Sequence, residues 1–223
     1  MSVDRREFIE RLAGGAVMYG GLTGPLVSSP LRFPVSSDDT WDLSWVSRIH
    51  GSHRAVFDCT EIESGAGLLR AEIWRLQYEQ VLKLPTSEMT AVVILRHSAI
   101  PLAMTQEYWD RYKIGETKDV TDPFTEKPTR RNPILLRADN GELPPGFANA
   151  NLDGVLRGGG VVLACNLAFN ECISTVAKAD KLDPAEAKKR AITMINPGVV
   201  LQPSGVFAAI RAQQEGCHYI KAS

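Results

Sequence analysis

Two short runs constrain this chain more than any other feature: TAVVILRH at 90–97 and GGGVVLAC at 158–165. Each contains a continuous aliphatic stretch rich in β-branched residues and without polar alternation, the pattern of a strand buried on both faces. A sheet of such strands needs helices on either side, and the sequence supplies them in turn. HRAVFDCTEI reads as a first strand, roughly 53–61, and SGAGLLRAEIWRLQYEQVLKL as the helix after it. In that helix Leu69, Ile73 and Leu76 form one apolar stripe, and Trp74, Tyr78 and Val81 an adjacent one. Beyond the strand at 90–97, Pro101 takes the first-turn position of a helix that ends at Tyr112. A short helix near 148–157 leads into the strand at 158–165. NLAFNECISTVAKAD follows as a helix, and DPAEAKKRAITMI as another, capped by Asp183 with Pro184 at its first position. PGVVLQ gives a fourth strand, PSGVFAAIRAQQEG a helix stopped by Gly216, and CHYIK a fifth strand. This alternation predicts a three-layer α/β domain, with a mainly parallel sheet of about five strands and helices on both faces.

Residues 113–146 break the pattern. They hold Pro123, Pro128, Pro133, Pro144 and Pro145 among many charges, with little periodicity. The segment reads as a long insertion or lid outside the core. Its basic pair, Arg130 and Arg131, is either an anion clamp or a solvated face.

The first 37 residues read as an address. Arg5 and Arg6 precede Phe8, Ile9 and a weakly apolar run from Leu12 to Leu22. A cationic start, a short apolar core and a polar exit are the anatomy of an export signal. Arg5-Arg6 with Phe8 resembles the twin-arginine type, although Asp4 and Glu10 depart from its usual residues. An amphipathic helix is the alternative, which Gly14, Gly15, Gly20, Gly21 and Gly24 disfavour. Cleavage after Val35-Ser36-Ser37 would leave 38–223 as a single domain. The twin-arginine machinery carries folded proteins, so the expected place of work is the periplasm or another site outside the cytoplasm.

Composition narrows the function. A formal charge of −1 over 223 residues removes the case for a strongly basic nucleic-acid binder. No stretch approaches the roughly 18–20 apolar residues of a membrane span, so no stable span is expected after processing. The four cysteines, Cys59, Cys165, Cys172 and Cys217, are too scattered for a disulfide scaffold, and no CxxC occurs. No motif calls for a cofactor.

In open α/β sheets, ligands gather at the carboxyl ends of the strands. Here those ends carry Asp58 and Cys59, Arg96 and His97, Cys165 and Asn166, and then Gln202 and Ser204. A thiol, an imidazole, a guanidinium and a carboxylate are therefore expected at one rim. Cys165 stands where a strand gives way to a helix, near the positive end of a helix dipole, a setting that favours a thiolate. His97 or Arg96 beside it would act the same way, with Asp58 orienting one of them. The alternative for Cys165 is a small buried hydrophobe. His97 invites a metal or haem reading, but no HxH, HExxH or dense ligand cluster accompanies it, and a hydrogen-bonded structural role is the plainer reading. Gly65-x-Gly67 opens a helix after a strand, yet Arg70 stands where a dinucleotide fingerprint needs its third glycine. No GxSxG is present.

The C-terminal third, GGGVVLACNLAFN and then PGVVLQPSGVFAAIRAQQEGCHYIK, resembles the DsrE/DsrF-like family of sulfur-relay proteins. The likeness covers about 158–221 well and 53–105 loosely. LRHSAIPLAM, YWDRYKIGE and RRNP with a twin-arginine start resemble an exported branch of that family. The resemblance implies a flavodoxin-like fold, homo-oligomers (trimers or hexamers), and sulfur carried as a persulfide on the cysteine that ends a central strand, here Cys165. The leading expectation is thus an exported sulfur-carrying or redox thiol protein. The rival is a non-catalytic oligomeric module of the same fold that binds a small ligand beneath the insertion.

Overall fold

The structure, a computed structural model, describes residues 40–223. The signal reading, Arg5 and Arg6 included, lies outside the described residues. Five strands form one all-parallel sheet: β1 (His53–Cys59), β2 (Met89–Leu95), β3 (Val161–Cys165), β4 (Val199–Gln202) and β5 (His218–Lys221). Their order is β4-β3-β2-β1-β5. Helices lie on both faces, giving the three-layer flavodoxin-like α/β architecture.

Two apolar layers explain why β2 and β3 are aliphatic throughout. Successive side chains of a strand point to opposite faces. Phe57, Val93, Leu95, Val162 and Ala164 enter one core, while Val56, Val92, Ile94, Val161 and Leu163 enter the other. The first core is roofed by α1 (Ala66–Leu82), α2 (Gln106–Arg111), α4 (Leu152–Arg157), α5 (Asn166–Asp180) and α6 (Pro184–Thr193); the short α3 (Ile114–Thr117) lies between α2 and α4 in the chain. The second core is thinner. Ala208, Ala209 and Ala212 of α7 (Gly205–Gln214) close it, with Trp45 from a 3₁₀ turn at Ser44–Arg48. Three alanines let α7 lie close to the sheet.

Helix ends follow the expected chemistry. Asp183 accepts hydrogen bonds from the Ala185 and Glu186 amides ahead of Pro184, and Gly216 adopts φ +82° after α7. Two details differ from the sequence reading. The helix expected from Pro101 starts instead at Gln106, capped by Thr105; Pro101 lies in a 3₁₀ stretch, His97–Ala103. Met104 between them is drawn into a bridge with Ile195, and the Thr105 amide donates to Met194 O, so the backbone there is extended. In α1 the buried face runs through Gly67, Leu68, Ala71 and Glu72, not through the larger side chains one position on. Gly67 lets the helix pack directly onto β1, since a Cβ there would fall on the Cys59 sulfur.

The segment 113–146 does not stand off the core, as its composition suggested. Ile114, Val120 and Ile134 join the first core. Fully buried Asn132 donates from Nδ2 to Leu102 O at 2.9 Å and Met104 O at 2.7 Å. Arg131 binds Glu142 and Leu135 O within the segment and donates to Gln106 Oε1 of α2 at 3.3 Å, so it pins the segment to that helix. Pro133 presses on Gly65, and Thr121 meets Ser64, so the segment straps down the turn between β1 and α1. Among the described residues, no helix is long and apolar enough to cross a membrane.

Candidate functional site

Chain direction decides where a ligand can enter. From β1 through β4 each connection moves one place toward the same edge, and its helices cover the first core. The connection from β4 to β5 reverses, crossing back over the sheet to lie beside β1, and α7 consequently covers the opposite face. After β3 the chain therefore leaves to one side of the sheet, and after neighbouring β4 to the other. That divergence opens a crevice at the carboxyl ends, the switch point at which parallel sheets bind ligands.

A groove of 440 Å³ lies there, lined by Arg96, His97 and Ser98 after β2, Cys165, Leu167, Ala168 and Glu171 from β3 and α5, and Ser204, Gly205 and Val206 at the start of α7. Four of the expected site residues, Arg96, His97, Cys165 and Ser204, thus line one groove. None of its lining residues comes from 113–146, although Lys118 of that segment pairs with Glu171 on the groove.

Cys165 is the last residue of β3 and the N-cap of α5. Its Sγ accepts a hydrogen bond from the Ala168 amide at 3.4 Å, and only 6% of the residue is exposed. Cys59 and Cys172 are sealed in the first core, and Cys217, 5% exposed, packs in the second. Burial pushes Cys59 and Cys172 up to about 12 and Cys217 to about 11. Cys59, expected at the rim, faces the first core beneath Gly67 of α1 and does not reach the groove. A one-residue step along β1 separates it from Asp58, and in a strand that step reverses the face.

Asp58 is the hidden anchor. It is 1% exposed, and its carboxylate accepts from Arg96 Nε and Nη2, both at 2.7 Å, and from the Tyr219 hydroxyl at 2.6 Å. Burial alone would raise the Asp58 carboxyl, but the hydrogen bonds from Arg96 and Tyr219 and the charge of Arg96 outweigh it and hold it below its ordinary value. The expectation that Asp58 orients a neighbour describes this pair with Arg96. The arginine stem crosses Gly205, where a Cβ would come within 2.7 Å of Arg96 Cβ. The glycine of PSGV is thus the clearance that lets Arg96 reach Asp58.

His97 stands at the mouth with φ +53° and a side chain 68% exposed. Its Nδ1 lies 3.0 Å from Ser98 Oγ and 3.5 Å from the Glu61 carboxylate. No hydrogen bond joins it to Cys165 among the described residues. Ser204 caps α7, accepting from the Phe207 amide at 3.0 Å. Asn166 turns away into a neighbouring groove with Trp41, Lys188 and Ile192. Among the described residues, no three His, Cys, Asp or Glu side chains are grouped to hold a metal ion.

Sequence reasoning passed over Tyr219, Gly205 and the apolar walls Leu167 and Val206. The period of two in CHYIK puts Tyr219 on one face of its strand, but its meeting with Asp58 depends on β5 pairing with β1, which no local pattern announces. The chain matches no family model, no curated protein and no solved structure.

Proposed function

We propose that this chain is an exported DsrE-like protein that carries sulfur on Cys165. One observation carries the reading: of the four thiols, Cys165 is the one on an open groove at the switch point, and it receives a helix amide on its sulfur. In the transfer, the Cys165 thiolate attacks a sulfane sulfur of a polysulfide. A new S–S bond forms, the donor's S–S bond breaks, and the shortened polysulfide leaves with the electron pair. The resemblance at 158–221 supports the same cysteine and assembly into trimers or hexamers, and Arg5-Arg6 with Phe8 supports the twin-arginine route.

The test is to incubate residues 38–223 with inorganic polysulfide and weigh the intact chain. A sulfur adduct that maps to Cys165 and vanishes in Cys165→Ser supports the proposal. No adduct from either inorganic polysulfide or an organic persulfide, or an equal one in the variant, overturns it. A second reading, a non-catalytic module for a small ligand, draws on the low exposure of Cys165 and on the half-exposed Leu167 and Val206 along the groove. It expects a Cys165 that resists alkylation.

A further inference from the structure

Arg96 is held in a way that leaves one part of it unspent. Gly205 fixes the course of its stem, and Nε and Nη2 are both committed to Asp58. The third guanidinium nitrogen, Nη1, makes no hydrogen bond to the protein among the described residues. Within this ion pair the carboxylate is buried, while 30% of the arginine side chain is exposed on the groove that also carries Cys165. The outward end of the pair is therefore the positive one. Leu167 is 41% exposed and Val206 is 60% exposed along the same groove, so its walls are in part apolar.

We propose that Arg96 is the specificity determinant of the groove and selects small organic monocarboxylates; resting on the sulfur-carrier reading, this makes the sulfur donor the persulfide of a small mercapto acid. Charge and shape both argue for this class. Asp58 already offsets most of the arginine charge, so the remaining N–H donors suit a monoanion better than a phosphate dianion. Glu171 on the same groove is paired with Lys118 at 2.5 Å, so this pair adds no net charge of either sign. A bare inorganic ion would leave Leu167, Ala168 and Val206 uncovered, whereas an organic stem fills that space. In the reaction the Cys165 thiolate attacks the outer sulfur of R–S–SH. The S–S bond of the donor breaks, R–S⁻ leaves with the electron pair, and Cys165 retains the –SH as its persulfide.

Iodoacetate and iodoacetamide test the recruitment without any sulfur chemistry, since they differ only in carboxylate against amide. The rate ratio of acid to amide at Cys165 should exceed that at free mercaptoethanol by about tenfold, equivalent to ~1.4 kcal/mol. It should fall to the free-thiol ratio in Arg96→Gln. Because that variant leaves Asp58 buried without its partner, Asp58→Asn/Arg96→Gln is measured beside it. A wild-type ratio equal to that of free thiol overturns the inference, as does no reaction with either reagent. Donor loading separates the two proposals. Loading of Cys165 by inorganic polysulfide with no preference for mercaptopropionate persulfide over that of its amide sinks the inference alone, and no loading from any of the three sinks both.

Discussion

The side chain of Arg96 lies across the backbone of Gly205, so close that a single methyl group there would press on its Cβ. Through this crossing, the first residue of α7 sets the position of a guanidinium anchored on β1. Gly205→Ala is therefore an overpacking change at an inflexible point, expected to destabilise the domain by about 1–3 kcal/mol. Urea unfolding monitored by tryptophan fluorescence gives the number. A midpoint equal to wild type would show that Arg96 can leave this path without cost.

The Asp58–Arg96–Tyr219 cluster gives stability a defined pH dependence. The folded carboxyl of Asp58 lies below its ordinary value of 3.8. Its contribution is complete above that value and is lost as pH falls through the lowered one. Asp180, held low by Arg111, Arg190 and Tyr112, acts in the same direction. Asp58→Asn should weaken the domain at about pH 6 and flatten the loss of stability toward about pH 3. Urea midpoints of variant and wild type across that range decide it, and parallel curves would rule Asp58 out as a source of the slope.

Thiol accounting follows from burial. In the native chain at about pH 8, iodoacetamide should modify Cys165 and spare Cys59, Cys172 and Cys217, which burial holds near 11 to 12. Unfolding should release all four. Peptide mapping by mass spectrometry reads the outcome, and native labelling of Cys172 ahead of Cys165 would contradict the placement of both.

These residues also show where sequence reading reaches its limit. The aliphatic runs of β2 and β3 required coverage on two faces, and a strand-to-helix junction placed Cys165 at the sheet's carboxyl rim. Both follow from local pattern. The β1 end was harder, because Asp58 and Cys59 are neighbours in sequence but occupy opposite faces, and only the registration of the strand says which one faces Arg96. The strap at 113–146 was illegible for a different reason. Its apolar residues are sparse and aperiodic, and Asn132 joins it to the core through backbone carbonyls that carry no sequence signature.

Asn132 is accordingly the residue to test in that strap. Asn196 still serves the carbonyls of Met104 and Leu102 at 2.8 Å and 3.5 Å, but Asn132→Ala leaves the buried Ile134 amide without its Oδ1 acceptor. The expected cost is about 1–3 kcal/mol. Limited proteolysis should cut within 113–146 sooner than in wild type. Unchanged cleavage there would mean that Ile114, Val120 and Ile134 hold the strap alone.

A last pair tests the seat of α1. Gly67→Ala should destabilise the domain because the new methyl meets the Cys59 sulfur. Cys59→Ala in the same chain should restore part of the loss, a positive coupling that chemical denaturation of the four proteins measures. Additive losses would place the strain elsewhere.

The reversal that opens the groove also fixes when it can exist. Tyr219 and Asp58 stand 161 positions apart, and β5 follows every other element in the chain. Closing so long a separation is among the slowest steps available to a sheet. A nascent chain can build β1 through β4 and present Cys165 while Asp58 still lacks the Tyr219 hydroxyl. The finished rim is therefore a late product of folding, and the complete Asp58–Arg96–Tyr219 cluster, not the thiol itself, marks that the whole domain has closed.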